Sequence, residues 1–85
     1  KEIGVTFSKL ETEEFKGVEI SEISNLKLNR IGVKKGFIIN KIDHQEIKTI
    51  RDVEKLIESK SGAILIEGYY PYDKENEIAF AIVLP

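Results

Sequence analysis

The chain contains no cysteine, a single histidine and no basic run longer than Lys34-Lys35, and each shortage removes a class of chemistry. Without cysteine there is no disulfide and no thiolate nucleophile or ligand. His44 is the only imidazole, and its Asp43-His44-Gln45 setting reads as a solvated turn rather than a catalytic base. The serines at 8, 21, 24, 59 and 61 therefore lack the base and orienting group that a nucleophilic triad needs. No His, Asp or Glu cluster has metal-ligand spacing. Neither a catalytic centre, a metal nor a cofactor is expected. Acids and bases are interleaved at a net charge of −2, so no basic face offers itself to phosphates. No apolar run approaches the roughly 20 residues that cross a bilayer, and no segment has the form of a signal peptide. The chain reads as a segment of a longer protein, so a targeting signal would lie outside it.

What is present is an ordinary mixture, 41% hydrophobic and 33% charged over 85 residues. That length supports one domain, residues 1–85, with one modest core; a chain this size buries roughly 60–65% of its unfolded surface. Apolar residues recur along almost the whole length, which argues against disorder.

Ile3 to Leu10 alternates Ile3, Val5 and Phe7 against Gly4, Thr6 and Ser8, the period of a half-buried strand. Glu11–Lys16 predicts a single helical turn, capped by Thr12 with Phe15 turned inward, and broken by Gly17. Its acids, Glu11, Glu13 and Glu14, read as a solvated patch. Val18, Ile20 and Ile23 mark a second strand. Leu26–Ile31 has helical spacing, with Gly32 in the left-handed position after it and Val33 folding back. Phe37–Ile42 is a third strand whose broken alternation predicts a bulge or burial on both faces. After the turn at 43–45, a short extended piece runs to Ile47. Thr49 is the best helix start in the chain, with Asp52 placed for a capping box. Ile50, Val53, Leu56 and Ile57 give that helix one apolar stripe, up to the stop at Ser61-Gly62. Ala63–Tyr70 predicts a central strand, Pro71–Asn76 a polar hairpin loop, and Ile78–Leu84 a last strand. Strands predominate and βαβ units do not repeat, so the fold class is α+β.

Four pieces then resemble a family. Gly17-Val18-Glu19-Ile20-Ser21-Glu22-Ile23 is similar to the G-V-x-V-x-x-V strand of PDZ domains, and Arg30-Ile31-Gly32-Val33-Lys34-Lys35-Gly36-Phe37-Ile38-Ile39 to their A-G-L-x-x-G-D-x-I segment. Lys41–Ile47 is similar to x-V/I-N-G-x-x-V/I, and Thr49–Ile57 to the S/T-x-x-D-L/V-x-x-L/I helix. Their order and spacing carry the resemblance, which covers nearly the whole chain. It is of the bacterial type found in trypsin-like serine proteases of the Do/HtrA kind, most similar to the second PDZ domain of such proteases. Phe37 stands where most members have Asp, and His44 where Gly is commonest, at a turn where a positive φ is expected. The implied fold is a small, partly closed antiparallel β-sandwich or barrel of about five strands with two helices.

The resemblance implies a non-catalytic module that takes a partner's extended C-terminal tail as an added strand. The implied groove has one wall at Ile3, Gly4, Val5, Thr6 and Phe7, whose free amides hold a terminal carboxylate, and another at Ile50, Glu54 and Ile57. Apolar Ile50 and Ile57 imply hydrophobic tails; Glu54 implies a basic or polar residue further up the ligand. Plain alternatives stay open: Ile50 and Ile57 fit core packing equally well, Gly4 fits a bend in an edge strand, and Tyr69, Tyr70 and Tyr72 fit either a partner surface or a strand flank. The implied setting is a periplasmic or cell-envelope protease in protein quality control. Its other domains or subunits would be further partners, and the alternative role is a structural domain making those contacts. Neither nucleic acid nor membrane insertion is implied.

Overall fold

The computed structural model describes residues 4–12, 16–24 and 26–84. Its elements in chain order are β1 (Val5–Glu11), β2 (Lys16–Ile23), α1 (Leu26–Arg30), β3 (Ile38–Ile42), β4 (Gln45–Glu46), α2 (Ile50–Ser59), β5 (Ala63–Tyr69), a 3-10 turn (Pro71–Asp73) and β6 (Ile78–Val83). The strands form one antiparallel sheet ordered β1-β2-β3-β5-β6, with β4 paired to β3. The class is α+β, a small domain of one open sheet and two helices.

Three local expectations change. Glu11 and Lys16, the ends of the expected helical turn, are strand residues: β1 runs on to Glu11 and β2 starts at Lys16, with Lys9↔Val18, Leu10↔Gly17 and Glu11↔Lys16 in register, and residues 13–15 of that turn lie outside the described residues. Phe15 lies outside the described residues. The polar loop after β5 begins as a 3-10 turn, with Pro71 at its start where the missing N–H costs nothing. Finally, the sheet is open rather than partly closed. Among the described residues β1 and β6 do not pair, and the β1–β2 hairpin joins β3 through only Val18↔Ile39 and Glu19↔Ile38. Helix α2 spans the mouth instead: its Val53 and Ile57 line one small cavity with Val5 and Phe7 of β1 and Ile82 of β6.

The caps follow the sequence. Thr49 accepts the Asp52 N–H at 3.1 Å while the Asp52 carboxylate accepts the Thr49 N–H at 3.2 Å, a capping box opening α2. After α1, Gly32 (φ +97) donates to Asn29 O at 3.2 Å and Val33 donates to Leu28 O at 3.1 Å. That is a Schellman motif, and its hydrophobic contact is present, since Leu28 and Val33 both lie in the core. The core centre is Phe37, fully buried and edge-on to Tyr70 (centroids 5.1 Å) and Phe80 (5.3 Å). Burial pushes the Tyr70 phenol up from its ordinary value, although the Lys34 N–H donates to it at 3.0 Å.

The β3–β4 turn puts Asp43 (φ 49) and His44 (φ 66) in left-handed backbone, where Asn-Gly or Asp-Gly is usual. Side chains hold it there. Asp43 Oδ1 accepts the Leu65 N–H at 2.8 Å and Oδ2 meets Lys60 Nζ at 2.9 Å. The buried Glu67 carboxylate accepts the His44 N–H at 3.1 Å. His44→Gly keeps that backbone bond and relieves the strain, and gives up only a 3.3 Å contact from an exposed ring. The variant is expected to be more stable by about 0.5–1 kcal/mol in urea denaturation; a loss of stability would show that the imidazole contact outweighs the strain.

Two carboxylates fix the acid limit. The Leu65 N–H, then Lys60, holds Asp43 below the usual carboxylate range. The Lys48 N–H, followed by the Thr49 N–H, does the same for Asp52. A carboxylate depressed in the folded state stabilises above its unfolded value, near 4, and loses that contribution as pH falls through the folded value. The denaturation midpoint is expected to drop below about pH 4, and to drop less in the Asp43→Asn/Asp52→Asn double variant. An equal pH 6 to pH 3 drop in both proteins would refute this assignment.

Candidate functional site

The N-terminal edge is built by β2. Gly4 (φ 78) turns the chain in a region closed to most side chains, and its carbonyl accepts the Ser24 N–H at 2.8 Å and the Ser24 hydroxyl at 3.2 Å. β1 then pairs with β2 as far as a bulge, where Ser21 is the extra residue between Thr6↔Glu22 and Phe7↔Ile20. The Ser21 hydroxyl donates to Thr6 O at 3.2 Å and accepts from the Ser8 hydroxyl at 2.8 Å, pinning the bulge.

The hydrogen bonds of β2 decide which backbone groups of β1 are unused. Ile20 donates its N–H to Phe37 O at 2.9 Å and accepts the Gly36 N–H at 2.7 Å, so both its polar groups face away from β1. Its partner Phe7 must therefore turn its N–H and C=O off the other side. Alternation places Val5 and Lys9 with it, and Gly4, Thr6 and Ser8 toward β2. Among the described residues β1 pairs with no strand there. The edge offers three rungs, at Val5, Phe7 and Lys9.

Helix α2 runs beside this edge. Ile57 lies with Val5 and Phe7, while Ile47 and Lys48, which lead into α2, lie with Lys9, Leu10 and Glu11. The helix is thus antiparallel to β1. Of the expected groove residues, Gly4, Val5, Thr6 and Phe7 fall on the edge strand and its approach, and Ile3 lies outside the described residues. Ile50 is half-buried, Glu54 exposed, and Ile57 4% exposed, within the core cluster. Ile57 is a floor rather than a wall. The cavity over it is about 10 Å³, room for one water-sized sphere, so no side-chain pocket stands open there.

A larger concavity, about 380 Å³, lies further along the same strand. Leu10 and Ile47 give it apolar walls, Gly17 a side without a side chain, and Asn40 a polar group. The sequence marks Asn40 as the one uncharged polar residue in Phe37–Ile42, but Leu10, Ile47 and Lys48 carried no local signal. Among the described residues no three His, Cys, Asp or Glu side chains are placed to hold a metal ion, and no helix is long and apolar enough to cross a membrane. Comparison of the chain with protein-family models, with curated proteins and with solved structures finds no match in any of the three.

Proposed function

We propose that this is a PDZ-like, non-catalytic module that binds extended peptide tails by adding them as a strand to the free edge of β1. The observation that carries the reading is the row of backbone groups at Val5, Phe7 and Lys9 that no strand among the described residues uses, lying alongside α2. An antiparallel tail would end at Gly4 and Val5, with its terminal carboxylate on the amides there. Its last side chain would meet Val5, Phe7 and Ile57, all apolar, which favours a hydrophobic end. Because the cavity there is nearly filled, that side chain must lever α2 away from β1. Ile50 and Glu54 would line the tail further up, Glu54 selecting a basic or polar residue. Affinity would fall near micromolar, about −8 kcal/mol. The biological setting that goes with this reading is substrate or tail recognition within a Do/HtrA-type serine protease of the periplasm or cell envelope, the protease chemistry residing elsewhere in the parent chain. Titration with short peptides ending in Val, Ile or Phe, followed by amide shifts, tests it. Shifts along residues 4–9 and 50–57 support the edge; silence there at millimolar peptide sinks it.

A second reading, a structural domain making subunit or inter-domain contacts, is favoured by β6. Ile78–Val83 is uncharged at the opposite sheet edge, and Val83 is 77% exposed. Natural edges are usually protected by charge, proline or a bulge, and exposed Tyr72, Ile78 and Ile31 add apolar surface. Sedimentation across concentration separates the two readings: self-association abolished by Val83→Lys, with no peptide response, selects the second.

A further inference from the structure

The free edge of β6 differs from the other free edges among the described residues. Ile78–Val83 and the following Leu84 carry no polar side chain, whereas β1 carries Lys9 and Glu11 and the short β4 is Gln45-Glu46. Both faces of β6 are apolar. Phe80 and Ile82 pack on the core, while Ala79, Ala81 and Val83 are exposed on the other face. A near-continuous apolar run is the pattern of a covered strand rather than of an edge left in water.

The hydrogen bonds of β5 fix which backbone groups of β6 point outward. Leu65, opposite Ala81, donates its N–H to Asp43 Oδ1 at 2.8 Å and accepts the Asp43 N–H at 2.8 Å, so neither group faces β6. Leu84 donates its N–H to Gly62 O at 2.7 Å, on the β5 side. Both observations set the same alternation. Ile78, Phe80 and Ile82 bond to β5, and Ala79, Ala81 and Val83 turn their N–H and C=O off the free side. Among the described residues no strand pairs there.

A strand that pairs antiparallel with its own copy has a two-fold axis at one residue, because opposed side chains share a face. The uncharged block 78–84 is centred on Ala81, whose backbone groups point outward. An axis there sets Ala81 against Ala81, Ala79 against Val83, Phe80 against Ile82 and Ile78 against Leu84, with no charge in any pair. An axis at Phe80 would set Glu77 against Val83, and pairing with a β1 edge would bring Lys9 onto the apolar run. Of the edges this chain offers, β6 matches itself best.

We propose that the free edge of β6 takes a second copy of the chain, bound antiparallel about a two-fold axis at Ala81, so that the two sheets become one. This names the partner for the second reading, on which the inference rests. β1 lies at the opposite edge of each sheet and stays free for a tail.

Sedimentation of the parent across concentration is expected to show a closed dimer. Ala81→Lys and Ala81→Asp, at an exposed position, are each expected to keep the native circular dichroism and weaken the dimer about fivefold or more, because like charges meet at the axis. An equimolar mixture of the two is expected to associate again. The chain has no cysteine, so single substitutions give an independent reading. Ala81→Cys is expected to form a disulfide-linked dimer on oxidation, since α-carbons of such a pair lie about 5.5 Å apart. Ala79→Cys is not, since its two copies would lie four residues, about 13 Å, out of step; it is expected instead to cross-link to Val83→Cys in a mixture. A parent that stays monomeric at millimolar concentration overturns the inference and leaves the second reading only contacts with other domains. Species that grow beyond a dimer, or cross-linking of Ala79→Cys to itself in preference to Ala81→Cys, overturn the two-fold axis at Ala81. Association unchanged in Ala81→Lys, Ala81→Asp and Val83→Lys moves the contact off β6 and overturns the second reading's use of that edge as well.

Discussion

Gly68→Ala is expected to remove about 4 kcal/mol or more of stability, roughly a third to all of what a domain of this size has. A β-carbon on Gly68 would sit 1.8 Å from the Ile38 carbonyl oxygen and 2.9 Å from its carbon, where real contacts essentially never fall below 3.0 Å. The obstructing atoms are backbone, so no rotamer change relieves the clash. β3 and β5 would have to separate by more than 1 Å at the Ile39↔Gly68 and Ile38↔Tyr69 pairs. Those pairs hold fully buried Ile38 and Ile39 in place, next to Phe37. Overpacking of a core costs about 1–3 kcal/mol when side chains can adjust. Here the backbone must move and ladder bonds are lost as well, which places the cost at about 4 kcal/mol or more. A domain of this size has about 4–13 kcal/mol in total. Circular dichroism and urea titration check the outcome, and a midpoint within experimental error of the parent would rule out the close approach of these two strands.

Gly68 also shows the limit of what the sequence discloses. The helix starts and stops were legible because each depends on a few adjacent residues: Thr49 with Asp52, and Leu28 with Gly32 and Val33. The strands showed through their alternation, and the broken alternation of Phe37–Ile42 pointed to a bulge or burial on both faces; only the fold places the register slip between Ile39 and Lys41. Gly68 looked like any glycine in a strand, since the carbonyl it must clear comes from Ile38, thirty positions away. Closure of the sheet was equally hidden. It depends on whether β1 and β6 meet, and no local pattern reports that. Glu11 and Lys16 went the other way: both extend a ladder that the sequence did not advertise. The helix stripe could not separate core from groove for Ile57, because the same spacing serves both; in the fold Ile57 is 4% exposed and lies in the core cluster beneath β1. The 380 Å³ cavity draws on β1, β2, β3 and the link into α2, and only the folded chain brings Leu10, Gly17, Asn40 and Ile47 together.

Lys9→Pro is expected to weaken tail binding by at least tenfold while leaving the fold intact. The Lys9 N–H points off the free edge, because its partner Val18 faces β3, where it pairs with Ile39. Proline is tolerated on edge strands where the N–H faces solvent. The Lys9 side chain is 74% exposed and, among the described residues, pairs with Glu11, a surface contact worth about 0–1 kcal/mol. Stability should therefore change by no more than about 1 kcal/mol. Binding loses one of three rungs, and the proline ring occupies space that the incoming strand needs. The missing hydrogen bond alone accounts for about 0.5–1.5 kcal/mol, and the steric term carries the total past the 1.4 kcal/mol of a tenfold change. Ser8→Pro is the matched control. Ser8 faces β2 opposite Glu19, so proline there removes a ladder bond inside the hairpin and should cost stability instead. If Ser8→Pro proves harmless and Lys9→Pro unfolds the chain, the outward face of β1 has been assigned to the wrong residues. If Lys9→Pro folds and binds hydrophobic tails as tightly as the parent, the ligand does not add to this edge.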